Sequence, residues 1–448
     1  MSSLQQYLNL YTAQRDLINK GCAMEALNGR RDEIFGQLSR TGLPTARTER
    51  YKYTDVETAF APDYGLNLRR RATEADPYRA YRCAVPGLAT QLRYVVNDTV
   101  APARAGADVQ PDGVEVLSFA EAEQRHPGLL ARYYHQAAAR EADGIALLNA
   151  LLVQDGLLIR IPAGIKAATP VQIVNMQAAA VPLMSNRRII IVAEPGSEAA
   201  VLFCDHAHGS QPSLTTQVTE AYVGEGARLA LYSIEETNEQ SHRFAHLSVE
   251  QQARSRTELF TVTLHGGLSC NRTDVRLSSP DASVAAYGTA IADAHETVDN
   301  NLLVDHAAPA CTSDLLYKYV LGGHAVGAFA GKVLVREGAE KSLSEQTNAN
   351  LCASSEARAF SQPMLEIYAD DVKCNHGSTV GKLDDQALLY MRQRGIEESE
   401  ARLLLQHAFV NDVLRRVEIV PLRERLSHLV EMRFRGRLSS CHGCDLCK

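Results

Sequence analysis

The sequence lacks the features that would direct it to a membrane or to nucleic acid. No apolar run in its 448 residues approaches the roughly 18 residues of a membrane-spanning helix. The first six residues have neither the basic nor the apolar region of a secretory signal peptide. The formal net charge is -7, so no positive excess attracts nucleic acid or an anionic membrane. We therefore expect a cytoplasmic protein with no nucleic-acid partner and no membrane partner.

The chain also lacks a complete phosphate-binding loop. The segment 377–382 is one residue short of a Walker A loop, and Leu383 stands where the loop needs Ser or Thr. Gly331 and Lys332 are preceded by Val326 at the position of the required first glycine. No Gly-x-Gly-x-x-Gly follows a strand pattern, so we expect no ATP or dinucleotide site in this chain.

Cysteines spaced as a disulfide framework are missing. Seven of the ten cysteines are widely scattered, as is typical of reduced thiols in the cytosol. The other three, Cys441, Cys444 and Cys447, form two overlapping Cys-x-x-Cys steps near the C-terminus. Such a tail could bind zinc, iron or a cluster, or be redox-active without a metal; the alternative is an exposed tail without function.

The hydrophobic pattern changes from helical to strand-like near residue 155. Helices are predicted within residues 1–45, over about 118–140 and near 143–153, with a strand at 94–96. Short alternating segments then follow one another until about residue 381, where a helical period returns. These changes predict four regions: an N-terminal helical and mixed α/β region (1–154), a β core (155–381), a helical domain (382–437) and a cysteine-rich tail (438–448).

A turn followed by alternating residues recurs within the β core. The spacing of about 26–30 residues is in the range of stacked repeats. A β-solenoid explains this period, because each coil buries its inward side chains only when stacked on its neighbours. A β-sandwich with long hairpins stays open as the alternative. The recurring segments are 196–201, 226–231, 255–260, 281–286 and 311–316.

The candidate chemistry lies in the segment 366–381, which contains Cys374 and His376. Residues two apart in an extended segment share one face, so both side chains could ligate one soft or borderline metal. Asp370 and Asp371 add oxygen donors nearby. Spacing alone favours the alternative, a buried thiol beside a surface histidine. The pair His206 and His208 has the same spacing and is more typical of a hydrogen-bonded polar pair.

Two helices are predicted after the β core, over about 398–418 and 422–433. The first has an apolar face that includes Leu403, Leu404, Val413 and Leu414, with charged residues mostly elsewhere. Such a face packs either on the chain's own core or on a partner.

With these motifs assembled, the sequence resembles the SufB/SufD family of iron–sulfur cluster assembly proteins, and within it the SufD branch. The resemblance covers nearly the whole chain and is carried by the segments 43–54, 345–351, 363–381, 394–396 and 403–414. It implies a mainly β fold: a right-handed parallel β-helix core with an N-terminal α/β region and a C-terminal helical domain.

The same resemblance implies a function. It implies a non-catalytic scaffold and iron-entry subunit that pairs with a SufB-type paralogue, or with itself when isolated, and docks a SufC-type ATPase. It makes His376 the first choice and Cys374 the second as ligands of iron or a transient cluster at the partner interface. The ATPase would dock on the 398–418 helix, through Leu403, Leu404, Phe409, Val413 and Leu414. The alternative is a β-solenoid enzyme, either a cysteine-dependent hydrolase or a polysaccharide lyase.

Overall fold

The computed structural model describes residues 3–22, 24–69, 76–81, 83–103 and 112–437. The helices are α1 (Ser3–Gly21), α2 (Glu25–Asn28), α3 (Arg31–Thr41), a 3-10 turn (Glu49–Tyr51), α4 (Val56–Phe60), α5 (Pro77–Ala80), α6 (Phe119–Arg125), α7 (Leu129–Tyr133), α8 (Gly144–Leu152), α9 (Asp385–Gln393), α10 (Glu398–Leu414) and α11 (Val420–Phe434). The strands before residue 240 are β1 (Gly65–Leu66), β2 (Gln91–Val96), β3 (Thr99–Val100), β4 (Glu115–Ser118), β5 (Leu157–Ile161), β6 (Val171–Ala178), β7 (Leu183–Ala193), β8 (Glu198–His208), β9 (Ser213–Val223) and β10 (Arg228–Glu236). The later strands are β11 (Ser241–Gln251), β12 (Arg256–His265), β13 (Leu268–Leu277), β14 (Ser283–Ala292), β15 (Thr297–His306), β16 (Thr312–Leu321), β17 (Val326–Val335), β18 (Leu343–Cys352), β19 (Arg358–Ile367) and β20 (Lys373–Gly381).

The strands form a β-solenoid of about eight turns. The odd-numbered strands except β3, together with β4, make one ten-stranded sheet in the order β19-β17-β15-β13-β11-β9-β7-β5-β4, with β1 beside β7. The even-numbered strands except β4, together with β3, make the other, in the order β20-β18-β16-β14-β12-β10-β8-β6-β2-β3. Neighbouring strands of the stack are parallel, whereas at the first end β3 pairs antiparallel with β2 and β4 pairs antiparallel with β5. The predicted solenoid is confirmed, and the sandwich alternative is excluded.

A column of residues with left-handed backbone explains the repeat in the sequence. One such residue lies in the turn before an even-numbered strand, and its N–H donates to a carbonyl of the next coil. Glycine adopts this conformation without strain, and two of the recurring segments begin at such a glycine. Four later positions hold other residues at φ values between 56° and 61°. The column is Gly164, Gly196, Gly226, Arg254, Asp281, Ala310 and Lys341.

The inward side chains of both sheets form one continuous apolar interior. The outer faces are covered by different parts of the chain. The wholly buried helix α8 packs between α3 and the sheet of odd strands, and the Asp143 carboxylate accepts hydrogen bonds from the first backbone N–H groups of α8. Helices α10 and α11 pack on β12, β14 and β16 of the other sheet. The outer face of the odd-strand sheet is thus covered by N-terminal helices, and that of the even-strand sheet by α10 and α11 together with an N-terminal segment that includes Tyr81 and Cys83.

One predicted helix is wrong. The span 118–140 contains two short helices, α6 and α7, instead of one long helix. Pro127 and Gly128 separate them, and the φ of +79° at Gly128 is a conformation that an α-helix cannot contain.

The other helix predictions hold within a few residues, although the first C-terminal helix already ends at Leu414. The division of the chain into four regions stays a prediction. Three strands that precede residue 155, β1, β2 and β4, pair with the solenoid sheets. Within the described residues, no helix is long and apolar enough to span a membrane.

Candidate functional site

Cys374 and His376 lie on β20, the last strand of the even-numbered sheet. The parallel register with β18 sets Cys374 opposite Ser344 and His376 opposite Gln346. Ser344 and Gln346 are both buried and face the solenoid interior. Because strand side chains alternate, Cys374 and His376 share this inward side, as the sequence predicts.

Among the described residues no further coil stacks on β20, and the two side chains differ in exposure. Cys374 is half-buried and packs against the interior apolar cluster, whereas His376 is exposed. Burial raises the pKa of the Cys374 thiol, against a smaller lowering by a hydrogen bond at the Ser344 backbone. A raised thiol pKa opposes the idea that Cys374 is a catalytic nucleophile, because the thiolate is the reactive form.

The final coil of the solenoid is an open end. Within the part of the chain that the structure describes, β19 and β20 each pair with a single neighbour and leave one edge free. Large apolar side chains are exposed here as well, including Ile367 (41%), Tyr368 (65%) and Val380 (54%). Free strand edges and exposed apolar groups together are typical of a surface that pairs with another chain.

The open end does not complete a metal site by itself. Among the residues that the structure describes, no three His, Cys, Asp or Glu side chains are grouped so as to hold a metal ion. Asp370 and Asp371 lie exposed in the turn before β20. The three tail cysteines, Cys441, Cys444 and Cys447, lie outside the described residues, so their role stays a prediction.

The predicted docking helix is α10, and the structure divides its five candidate residues into two groups. Leu403, Val413 and Leu414 are buried, and the last two pack with α11 against the solenoid. Leu404 is 42% exposed, and Phe409 is half-buried with the Lys318 ammonium over its ring. Only Leu404 and Phe409 are therefore accessible to a partner in this conformation, and docking itself stays a prediction.

Two exposed residues of α9 were missed in the sequence. Leu389 is 53% exposed and Tyr390 is 58% exposed, while their neighbour Leu388 is buried. The signal was available: three consecutive large apolar residues cannot all face the core from one helix. Because α9 packs against α10, the helical domain carries exposed apolar groups on two adjoining helices.

Comparison with known proteins identifies the family. A model described as "SUF system FeS cluster assembly, SufBD core domain" matches residues 174–409, and one described as "SufBD protein N-terminal region" matches residues 1–173. The iron–sulfur cluster assembly protein SufD of Escherichia coli is 27% identical over 411 residues, which cover 89% of this chain and 91% of that protein. The SufBD family protein slr0076 of Synechocystis is 26% identical over 421 residues, which cover 90% and 89%. Because the two family models together match residues 1–409, this chain belongs to the SufB/SufD family of iron–sulfur cluster assembly proteins and is SufD-like.

Proposed function

We propose that this chain is a non-catalytic scaffold and iron-entry subunit of a cytoplasmic Suf-type cluster assembly complex. The observation that carries the proposal is the open end of the solenoid, which holds Cys374 and His376 on one face of the edge strand β20. Both residues are ligand types for iron and iron–sulfur clusters. The cluster or iron is the cargo of the assembly and is held only in transit.

The open end supports pairing with a SufB-type paralogue, and with a second copy of this chain when it is isolated. Backbone N–H and C=O groups along the free edges of β19 and β20 can extend a sheet into a second solenoid. Burial of Ile367, Tyr368 and Val380 would add a hydrophobic contribution. The partner would then face His376 directly.

The same pairing would complete the ligand set for the cargo. Cys374 and His376 supply two donors, and the described part of this chain groups no third with them. The remaining donors would come from the partner's surface across the interface. A site shared between two chains can release its cargo when the chains shift relative to each other, which suits a transient cluster.

The C-terminal helices support docking of a SufC-type ATPase. Leu389, Tyr390, Leu404 and Phe409 are among the accessible apolar groups on α9 and α10. Helix α10 also packs directly on β14 and β16, so a movement of α10 would be transmitted to the solenoid. The partner would then hydrolyse ATP, and the resulting movement of α10 would change the position of the solenoid in the complex.

The test is anaerobic co-expression of the chain with its SufB-type and SufC-type partners, followed by iron and sulfide analysis of the purified complex. His376→Ala should leave the complex assembled and lower its iron and sulfide content. The matched control is His324→Ala, which removes another exposed histidine, from a turn in the body of the solenoid. Equal iron and sulfide in the two variants would exclude His376 as a ligand, and failure to co-purify any partner would exclude the scaffold role.

A further inference from the structure

A cysteine and a histidine far apart in the sequence meet on the outer face of the even-numbered sheet. The His206 Nε2 atom lies 3.3 Å from the Cys83 Sγ atom, although 123 residues separate them in the chain. His206 is on β8, and Cys83 lies in the segment between α5 and β2 that crosses this face. Among the cysteines that the structure describes, Cys83 is the one with an imidazole at hydrogen-bond distance of its sulfur.

A second side chain contacts the same sulfur. The Gln172 side chain on β6 donates from Nε2 to the Cys83 carbonyl at 3.1 Å and to Cys83 Sγ at 3.5 Å, and the same nitrogen lies 3.6 Å from Cys204 Sγ. Gln172 is almost fully buried, with 1% exposure, so its amide is held in place. Two N–H donors on one sulfur stabilise its negative charge, and an imidazole at this distance can accept the thiol proton.

Cys83 is partly exposed, so a small molecule can reach it. Two other cysteines of similar exposure allow its thiol reactivity to be compared. Cys83, Cys352 and Cys374 are all half-buried, whereas the other described cysteines are buried. Burial raises the pKa of the thiols of Cys352 and Cys374. Three thiols of similar exposure therefore differ in whether an imidazole contacts the sulfur.

We propose that Cys83 is a nucleophilic thiol site, activated by His206 and Gln172, that takes sulfur-centred electrophiles such as small disulfides. The Cys83 proton moves to His206 Nε2, and the thiolate attacks one sulfur of the disulfide R–S–S–R. The S–S bond breaks, a Cys83–S–S–R bond forms, and R–S⁻ leaves with the electron pair and takes the proton from the imidazolium. This inference is independent of the assembly function proposed above, because none of its residues lies on β20 or α10.

The experiment measures site-resolved thiol exchange on the reduced, full-length chain. The probe is 2,2′-dipyridyl disulfide, and peptide mass spectrometry of quenched samples gives separate rates for Cys83, Cys352 and Cys374. Cys83 should react at least about tenfold faster at pH 6, because most of an ordinary thiol is protonated there. Equal rates at the three cysteines in the wild-type chain would overturn the proposal without any variant.

The role of the imidazole is tested by His206→Asn, with His324→Asn as the control for loss of a histidine elsewhere. The first change should lower the Cys83 rate to that of Cys374, and the control should leave it unchanged. Circular dichroism melting curves check that both variants fold. An unchanged Cys83 rate in folded His206→Asn would remove His206 from the site. If that variant does not fold, the proposal is judged from the exchange rates of the three cysteines in the wild-type chain.

Discussion

Gln346 and His376 are register partners on neighbouring coils, yet Gln346 has 0% exposure and His376 is exposed. The difference arises because β18 is covered by β20, whereas no described residues form a further coil on β20. The Gln346 amide donates to the Gly331 carbonyl at 3.1 Å inside the solenoid. Of two residues in equivalent positions, one is therefore held in the interior, and the other is the residue that we propose contacts a partner.

This contrast predicts effects of different size for alanine substitution at the two positions. Gln346→Ala should lower the free energy of unfolding by about 1–3 kcal/mol, because it removes a buried hydrogen bond to the Gly331 carbonyl and leaves a cavity in the interior. His376→Ala should change it by less than about 0.5 kcal/mol, as is usual for an exposed side chain. Urea denaturation of the isolated chain measures both. A large loss of stability in His376→Ala would mean that the residue is structural.

Pairing through the open end predicts an effect of charge at Val380. Val380→Lys should abolish association with the SufB-type paralogue and any homodimer, because the interface would bury an unpaired ammonium group. Val181→Lys is the matched control, since Val181 is 60% exposed compared with 54% for Val380 and lies before β7, far from β20. Light scattering coupled to size exclusion gives the molar masses. The surface is wrongly assigned if both variants associate equally.

Docking on the helical domain predicts a selective effect at Leu404. Leu404→Glu should weaken ATPase capture by about tenfold or more, which corresponds to about 1.4 kcal/mol. Arg402→Glu places the same residue at another exposed position of α10 and should have a smaller effect. Isothermal titration with the purified ATPase measures both affinities. Deleting the whole helix is a poor test, because it also removes the buried Val410 and Val413.

The left-handed column predicts a stabilising glycine. Ala310 has a φ of 58°, a conformation that costs a residue with a Cβ atom about 1–2 kcal/mol. Ala310→Gly removes that strain but costs about 0.5–1 kcal/mol in additional chain entropy lost on folding, so the expected net gain is at most about 1.5 kcal/mol and centres at about 0.75 kcal/mol. Ala408→Gly in helix α10 should instead cost about 1 kcal/mol. Denaturant midpoints of the two variants should therefore move in opposite directions.

Buried neutral histidines predict a loss of stability in acid. Burial lowers the pKa of His306 from 6.5 to about 4, and its two ring nitrogens contact the hydroxyls of Ser342 and Ser313. The unfolded chain binds the proton more readily, so stability is fully present above about pH 6.5 and falls as the pH drops toward 4. His306→Gln should reduce this dependence between pH 6.5 and pH 4. Melting temperatures across that range measure it, and parallel curves for wild type and variant would contradict the assignment.

Much of the fold could be predicted because its signals are local. The strand period of two places Cys374 and His376 on the same side of β20, whatever the rest of the chain does. Gly196 and Gly226 mark two turns of the column directly. At Arg254, Asp281 and Ala310 the same turn has no glycine, and there the repeat was visible only from the alternation of the strands that follow.

The remainder depends on contacts between distant segments. The apolar residues of α10 gave no means of telling that Val413 and Leu414 cover the chain's own sheet while Leu404 faces outward. The contact between Cys83 and His206 had no sequence signal, because neither residue is near the other or in a shared motif. Contacts of this kind depend on which segment of the chain crosses which coil of the solenoid. That arrangement is determined by the whole fold and not by the local sequence.

The two ends of the solenoid are unequal within the described part of the chain. At the first end, each sheet finishes in a short antiparallel strand, β3 of two residues and β4 of four residues, contributed by the N-terminal region. Short strands of reversed direction are poor templates for further pairing. If two solenoids pair through their open ends as proposed, the pair would present only the blunted ends, so the assembly would stop at two solenoids instead of growing into a fibre.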